Sequence, residues 1–251
     1  MLLEALTQRT DLHLLTAQAW VGSIPVRRFL RERPAWCPAC YAAWKEQVVP
    51  LYEPLIWMLK TVLICPTHKC WLEDRCPNCY QQQPFLRADT KLGECIHCTT
   101  WLGRTSPPVP EHEEDTAIMD WQEWVFLSLE ELRNRFAVSG KLPWERFFPN
   151  LGGCLEGRGE KYQLARSVGL EPRQFMQWLY RSSLPSLERL LEFCYVCGVT
   201  PLQVLLGDQV ALRCLLDSGT SARLPRPQRM VRRVNRQRCL ELIQAVLNGR
   251  E

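Results

Sequence analysis

The sequence predicts a mainly α-helical protein: two small ribbon modules come first, and a helical domain containing a helix-turn-helix follows. Three observations predict this. Eight cysteine or histidine residues between Cys37 and Cys98 stand in four pairs, each pair separated by two residues. Apolar residues recur at steps of three and four through 117–138, which is the helical period. Behind them, Gly169, Pro172, Pro185, Gly198 and Pro201 divide residues 161–207 into four short helical segments.

The chain has 251 residues, room for one large domain or two to three small ones. Hydrophobic residues make up 46% and charged residues 23%, ordinary for a globular protein. No apolar run approaches the ~18 residues of a membrane-spanning helix. The opening "MLLEALTQRTDLHLL" has acidic and polar residues where a signal peptide needs an unbroken apolar core. Residues 1–36 are therefore read as a short N-terminal helical segment of a cytoplasmic protein with no membrane partner. Thirteen cysteines in a compartment that keeps thiols reduced point to metal, not disulfides. Net charge is +3 over 1–110, −6 over 111–140 and +7 over 141–251. An acidic segment dividing two basic ones fits a modular chain whose C-terminal part meets a polyanion.

The four pairs are Cys37/Cys40, Cys65/His68, Cys76/Cys79 and Cys95/Cys98. Two intervening residues let a tight turn aim both side chains at one ion. Sequential pairing yields one set of three thiolates and an imidazole (Cys37, Cys40, Cys65, His68) and one set of four thiolates (Cys76, Cys79, Cys95, Cys98). The second set has the C-x2-C-x15-C-x2-C spacing of a zinc ribbon. The interleaved pairing, first with third and second with fourth, is the alternative. The stretch "CPTHKCWLEDRCPNC" is then a junction between modules, with Cys70 left over. His97, between Cys95 and Cys98, is expected to point away. Both sets are filled by four protein ligands, whereas a catalytic zinc keeps a position open. No HExxH motif accompanies them, and His112 with Glu113 falls in a proline-rich acidic tether. Two structural Zn2+ ions are expected, with no catalytic residues and no enzymatic activity.

"WCPAC", "YEPLIWMLKTVLICPTHKCWLEDRCPNC" and "GECIHCTTWL" together resemble the TniQ family. The residues that carry this are Trp36, Cys37, Pro38, Cys40, Tyr52, Trp57, Cys65, Pro66, His68, Leu72, Cys76, Pro77 and Cys79. The resemblance covers roughly residues 30–103. It implies a part in Tn7-like transposition, connecting a target-selecting element to an AAA+ transposition regulator. Some TniQ proteins, the TnsD-like ones, bind an attachment site themselves. Shorter ones attach to a CRISPR effector complex with its guide RNA, and the chain's length favours that kind. The resemblance allows either a homodimer or a single copy.

After the zinc region at 37–102, "GRTSPPVPEHEED" reads as a linker, placed at 103–116. The helical domain is placed at 117–215. It opens with an amphipathic helix whose stripe is Ile118, Trp121, Trp124, Val125, Leu129 and Leu132. In 161–207, a helix from Tyr162 to Val168 stops at Gly169, which suits a left-handed turn. Pro172 suits the first turn of the next helix. Ala165, Gly169, Phe175 and Trp178 fall where a helix-turn-helix needs small, turning and buried residues. The closing "PSLERLLEFCYVCGVTPLQVLL" resembles the lambda-repressor-like (Xre) helix-turn-helix. In that family the start of the second helix enters the major groove. Here that implies base contacts from Arg173, Gln174 and Gln177, whose side chains suit bidentate base recognition. A protein-docking role for the same helices stays open. Cys194 and Cys197 sit inside a helical segment with no second pair, so they read as buried free thiols.

"RLPRPQRMVRRVNRQR" (223–238) carries seven arginines and no acid, within a final Arg-rich helix at 216–251. Arg226, Arg229, Arg232, Arg233 and Arg236 are the expected phosphate contacts. The leading expectation is a non-enzymatic adaptor linking an RNA-guided CRISPR effector complex to the AAA+ regulator of a Tn7-like element. The alternative is a TnsD-like or repressor-like protein that selects its DNA target itself.

Overall fold

The computed structural model describes residues 2–8, 10, 12, 29–85, 91–105, 113–140, 142–153, 155 and 157–208. The tether at 106–112, the arginines at 226–236 and the final helix expected at 216–251 lie outside these residues. Among the described residues the fold is helical and has no strands, only five isolated antiparallel bridges. The elements are α1 (Leu2–Thr7), α2 (Pro38–Glu46), α3 (Leu55–Met58), α4 (Glu113–Ser139), α5 (Phe147–Gly153), α6 (Arg158–Ser167), α7 (Pro172–Leu179), α8 (Leu187–Val196) and α9 (Pro201–Leu206). A 3-10 turn, Trp144–Arg146, leads into α5. The ribbon modules carry single bridges in place of ladders.

The N-terminal region is built on α2. Cys37 is its N-cap, accepting a hydrogen bond from Cys40 N–H at 3.3 Å, and Pro38 opens the first turn. The buried Tyr41 and half-buried Trp44 of α2 meet Trp57 of α3 with ring centroids 5.9 and 5.6 Å apart. Trp101, from the far end of the second module, lies 6.0 Å from Tyr41. It passes so close to Gly103 that an added Cβ would stand 2.5 Å from its indole nitrogen. The two modules are thus packed together by aromatic surface, the largest source of buried apolar area per side chain.

Helix α4 has 27 residues, about 40 Å at the α-helical rise. It begins at Glu113, four residues ahead of the expected boundary at 117. A run of acids suits a helix's first turn as well as a solvated tether. Its stripe is as the periodicity predicts: Ile118, Trp121, Val125, Leu129 and Leu132 are buried and Trp124 is half-buried. Trp121 and Trp124 clasp Tyr195 of α8 edge-on, with centroids 4.9 and 5.2 Å away. Behind α4, Asn150 of α5 donates to the Val204 and Leu205 carbonyls at the end of α9. That closes the helical half on itself.

Helices α6 to α9 follow the expected order. Gly169 has φ +69° between α6 and α7, a conformation glycine adopts without penalty. Ala165, Phe175 and Trp178 are buried. Caps are explicit: Glu171 for α7, Ser186 for α8, and a reciprocal Thr200–Gln203 capping box for α9.

Candidate metal centres

Three of the four ligand pairs sit on the same backbone turn. In the turns starting at Cys65, Cys76 and Cys95, the fifth residue is left-handed: Lys69 (φ 51°), Tyr80 (φ 60°) and Thr99 (φ 57°). In each, that residue's N–H returns to the first cysteine's carbonyl at 2.9, 3.0 and 2.9 Å. The first cysteine's N–H reaches the carbonyl of the sixth residue, Cys70, Gln81 or Thr100, at 2.8, 3.0 and 2.9 Å. A bridge then closes each turn: Ile64 with Trp71, Arg75 with Gln82, and Glu94 with Trp101. Left-handed backbone at non-glycine residues costs roughly 1–3 kcal/mol and persists where its surroundings demand it. Here it aims both ligands of a pair to one side. The fourth pair, Cys37/Cys40, uses the helical start of α2 instead.

The side chains converge in the sequential pairing, not the interleaved one. Cys37, Cys40, Cys65 and His68 present donor atoms within 4.8 Å of one another, as do Cys76, Cys79, Cys95 and Cys98. The Cys40–Cys65, Cys76–Cys98 and Cys79–Cys95 sulfurs stand 3.7, 3.6 and 3.6 Å apart. Metal–sulfur bonds of about 2.3 Å in a tetrahedron put sulfurs about 3.8 Å apart, so the spacing fits one ion per set. His68 faces its set through Nδ1, which lies 3.6 Å from Cys37, 3.2 Å from Cys40 and 3.8 Å from Cys65.

Donors surround the sulfurs. Asn78 and His97 backbone N–H groups approach Cys76 and Cys95 at 3.4 Å each. The buried Gln83 amide donates to Cys95 at 3.3 Å and accepts from Ile96 N–H at 2.9 Å. Thr100 Oγ1 lies 3.3 Å from Cys98, whose thiol is lowered to about 5, chiefly by that contact. His97 points away, its Nε2 3.1 Å from the Gln82 carbonyl. Cys194 and Cys197 are buried and form no metal set among the described residues; burial pushes Cys194 well above the thiol range and Cys197 to about 12.

One functional residue escapes sequence reasoning. Gln122 of α4 is 6% exposed, and its amide spends both ends on the strand-like entry to the first centre. Its Oε1 accepts from Leu63 N–H at 2.7 Å, and its Nε2 donates to the Thr61 carbonyl at 3.0 Å. Beside it, Lys69 of the first turn pairs with Glu123 at 3.5 Å. A polar residue in register with the stripe at Ile118 and Val125 was the available signal. Arg173, Gln174 and Gln177 are exposed on α7, with Gln174 N–H capped by the Glu171 carboxylate at 2.8 Å.

The segment that carries the first donor set has a counterpart among known families. Residues 4–72 match the TniQ family model. The TniQ match takes in the whole first donor set and stops before Cys76. It also starts well ahead of residue 30, where the motif resemblance begins, so the match includes the opening segment. A TniQ domain marks a protein associated with Tn7-like transposition. No curated protein matches the chain. Among the described residues no helix is long and apolar enough to cross a membrane.

Proposed function

We propose that this chain is a non-enzymatic targeting adaptor of a Tn7-like element. It would link an RNA-guided CRISPR effector complex to the AAA+ transposition regulator. The observation that carries this reading is the TniQ match over 4–72, centred on a metal set made entirely of protein side chains. Both sets take zinc: seven thiolates and one imidazole at tetrahedral spacing suit a borderline-soft d10 ion. With four protein ligands each, the zincs supply folding energy and no reactive water. Division into an N-terminal segment, a zinc region at 37–102 and a helical domain behind it is part of the same proposal.

The second reading, a DNA binder choosing its own site, is favoured by one observation: Arg173, Gln174 and Gln177 are exposed together in the first two turns of α7. The arginines of 226–236 would add phosphate contacts in either case. Co-elution tests the choice. The purified chain is expected to co-elute with the guide-RNA effector complex of its host without target DNA. Absence of co-elution, with tight binding to one defined DNA site, would favour the second reading. Replacing Arg173, Gln174 and Gln177 together should leave targeting unchanged if the chain is an adaptor.

A further inference from the structure

Within residues 37–98, Cys70 is the cysteine that neither zinc set uses. It is fully buried, and its sulfur lies 3.5 Å from Cys37 Sγ. We propose that Cys70 is a positioning residue for the first centre, its thiol donating a hydrogen bond to the metal-bound Cys37 sulfur. This rests on the zinc reading above.

The three matching turns supply the argument. Cys70 occupies the sixth position of the first turn, where the third turn has Thr100. From that position Thr100 already places its hydroxyl 3.3 Å from a ligand sulfur, Cys98. Cys70 does the same toward Cys37, across to the helical pair. In the second turn the sixth residue, Gln81, is exposed, and the buried Gln83 amide reaches Cys95 instead. Each turn thus brings a hydrogen-bonding side chain close to a ligand sulfur. Three thiolates and an imidazole on a dication leave one net negative charge and four thiolates leave two, but the first centre holds its charge deeper, since Cys79 and Cys98 of the second are only half-buried. Cys37, Cys40 and Cys65 are all buried, at 0%, 5% and 1% exposure. A buried anion is costly without hydrogen bonds.

Two other roles for Cys70 fit less well. A fifth ligand is not called for, since Cys37, Cys40, Cys65 and His68 already supply the four donors that a structural zinc takes. A disulfide with Cys37 would require an oxidant to reach two sulfurs that are both fully buried.

The test compares the zinc-loaded full chain with Cys70→Ala and Cys70→Ser, following zinc transfer to a colorimetric chelator. Removing an outer partner of a ligand lowers metal affinity about 10–100-fold. Cys70→Ala is expected to keep two zincs per chain but release one of them about 10–100-fold faster. Cys70→Ser, which keeps an O–H donor, should stay near the wild-type rate. Release from Cys70→Ala at the wild-type rate would overturn the proposal. So would Cys70→Ser behaving like Cys70→Ala, which would make the role one of packing. X-ray absorption on the wild-type zinc protein serves whether or not the variants fold. Seven sulfur and one nitrogen neighbours over two ions are expected, and eight sulfurs would make Cys70 a ligand. A chain that takes up no zinc at all would overturn the metal reading itself.

Discussion

The first candidate metal centre is set deep, with Cys37, Cys40 and Cys65 buried, while in the second Cys79 and Cys98 are half-exposed. The second uses the turn twice, and the first uses it once beside the helical start of α2; the two also differ in what each turn touches. The first is fastened to α4 by Gln122 and by the Lys69–Glu123 pair. Through Trp121, Trp124 and Tyr195, α4 is in turn fastened to α8. The second packs on α2 through Trp101 and Gly103. It also meets the first module through the Arg104–Glu73 ion pair. One ligand frame therefore does two jobs. The first donor set joins the cysteine-rich region to the helical half, and the second extends that region outward.

That comparison can be broken in graded steps. Cys65→Ser should have the largest effect. A structural zinc contributes roughly 10–16 kcal/mol to such modules, so losing the first should unfold its module and undock α4. Zinc analysis should find one ion, and limited proteolysis should cut within 29–73. Cys76→Ser should act locally, opening residues 70–102 to protease while the first zinc remains; full zinc content with intact resistance would contradict it. Gln122→Ala should cost about 2–4 kcal/mol in denaturant melts, because it leaves the Leu63 N–H and Thr61 carbonyl unpaired inside the joint. Thr100→Val should have the smallest effect. It removes one contact to the half-exposed Cys98, and should speed release of the second zinc by about tenfold or less with no change in melting.

How much of this the sequence discloses depends on range. The ligand pairs are legible because a two-residue spacing and a left-handed fifth residue are local matters. Sequential pairing follows from the chain's order, and the order of α6 to α9 follows from Gly169, Pro172 and Pro201. Cys194 and Cys197 are legible as core thiols because they share a helical segment with Leu190 and Leu191. Gln122 is not legible as a clasp, since its partners Thr61 and Leu63 lie 61 and 59 residues away. Nor is Cys70. Its place beside Cys37 depends on how α2 sits against the first turn, and no spacing encodes that. The start of α4 at Glu113 is hidden by composition, because prolines and acids mark both tethers and helix openings.

Amide hydrogen exchange along α4 tests the joint most directly, read in Cys65→Ser and Cys76→Ser against the wild-type zinc protein. If the first centre holds the two halves together, exchange in residues 117–129 rises sharply in Cys65→Ser and stays at the wild-type rate in Cys76→Ser. Equal protection of α4 in all three proteins would contradict the account, and would mean that the helical half holds α4 without the first centre.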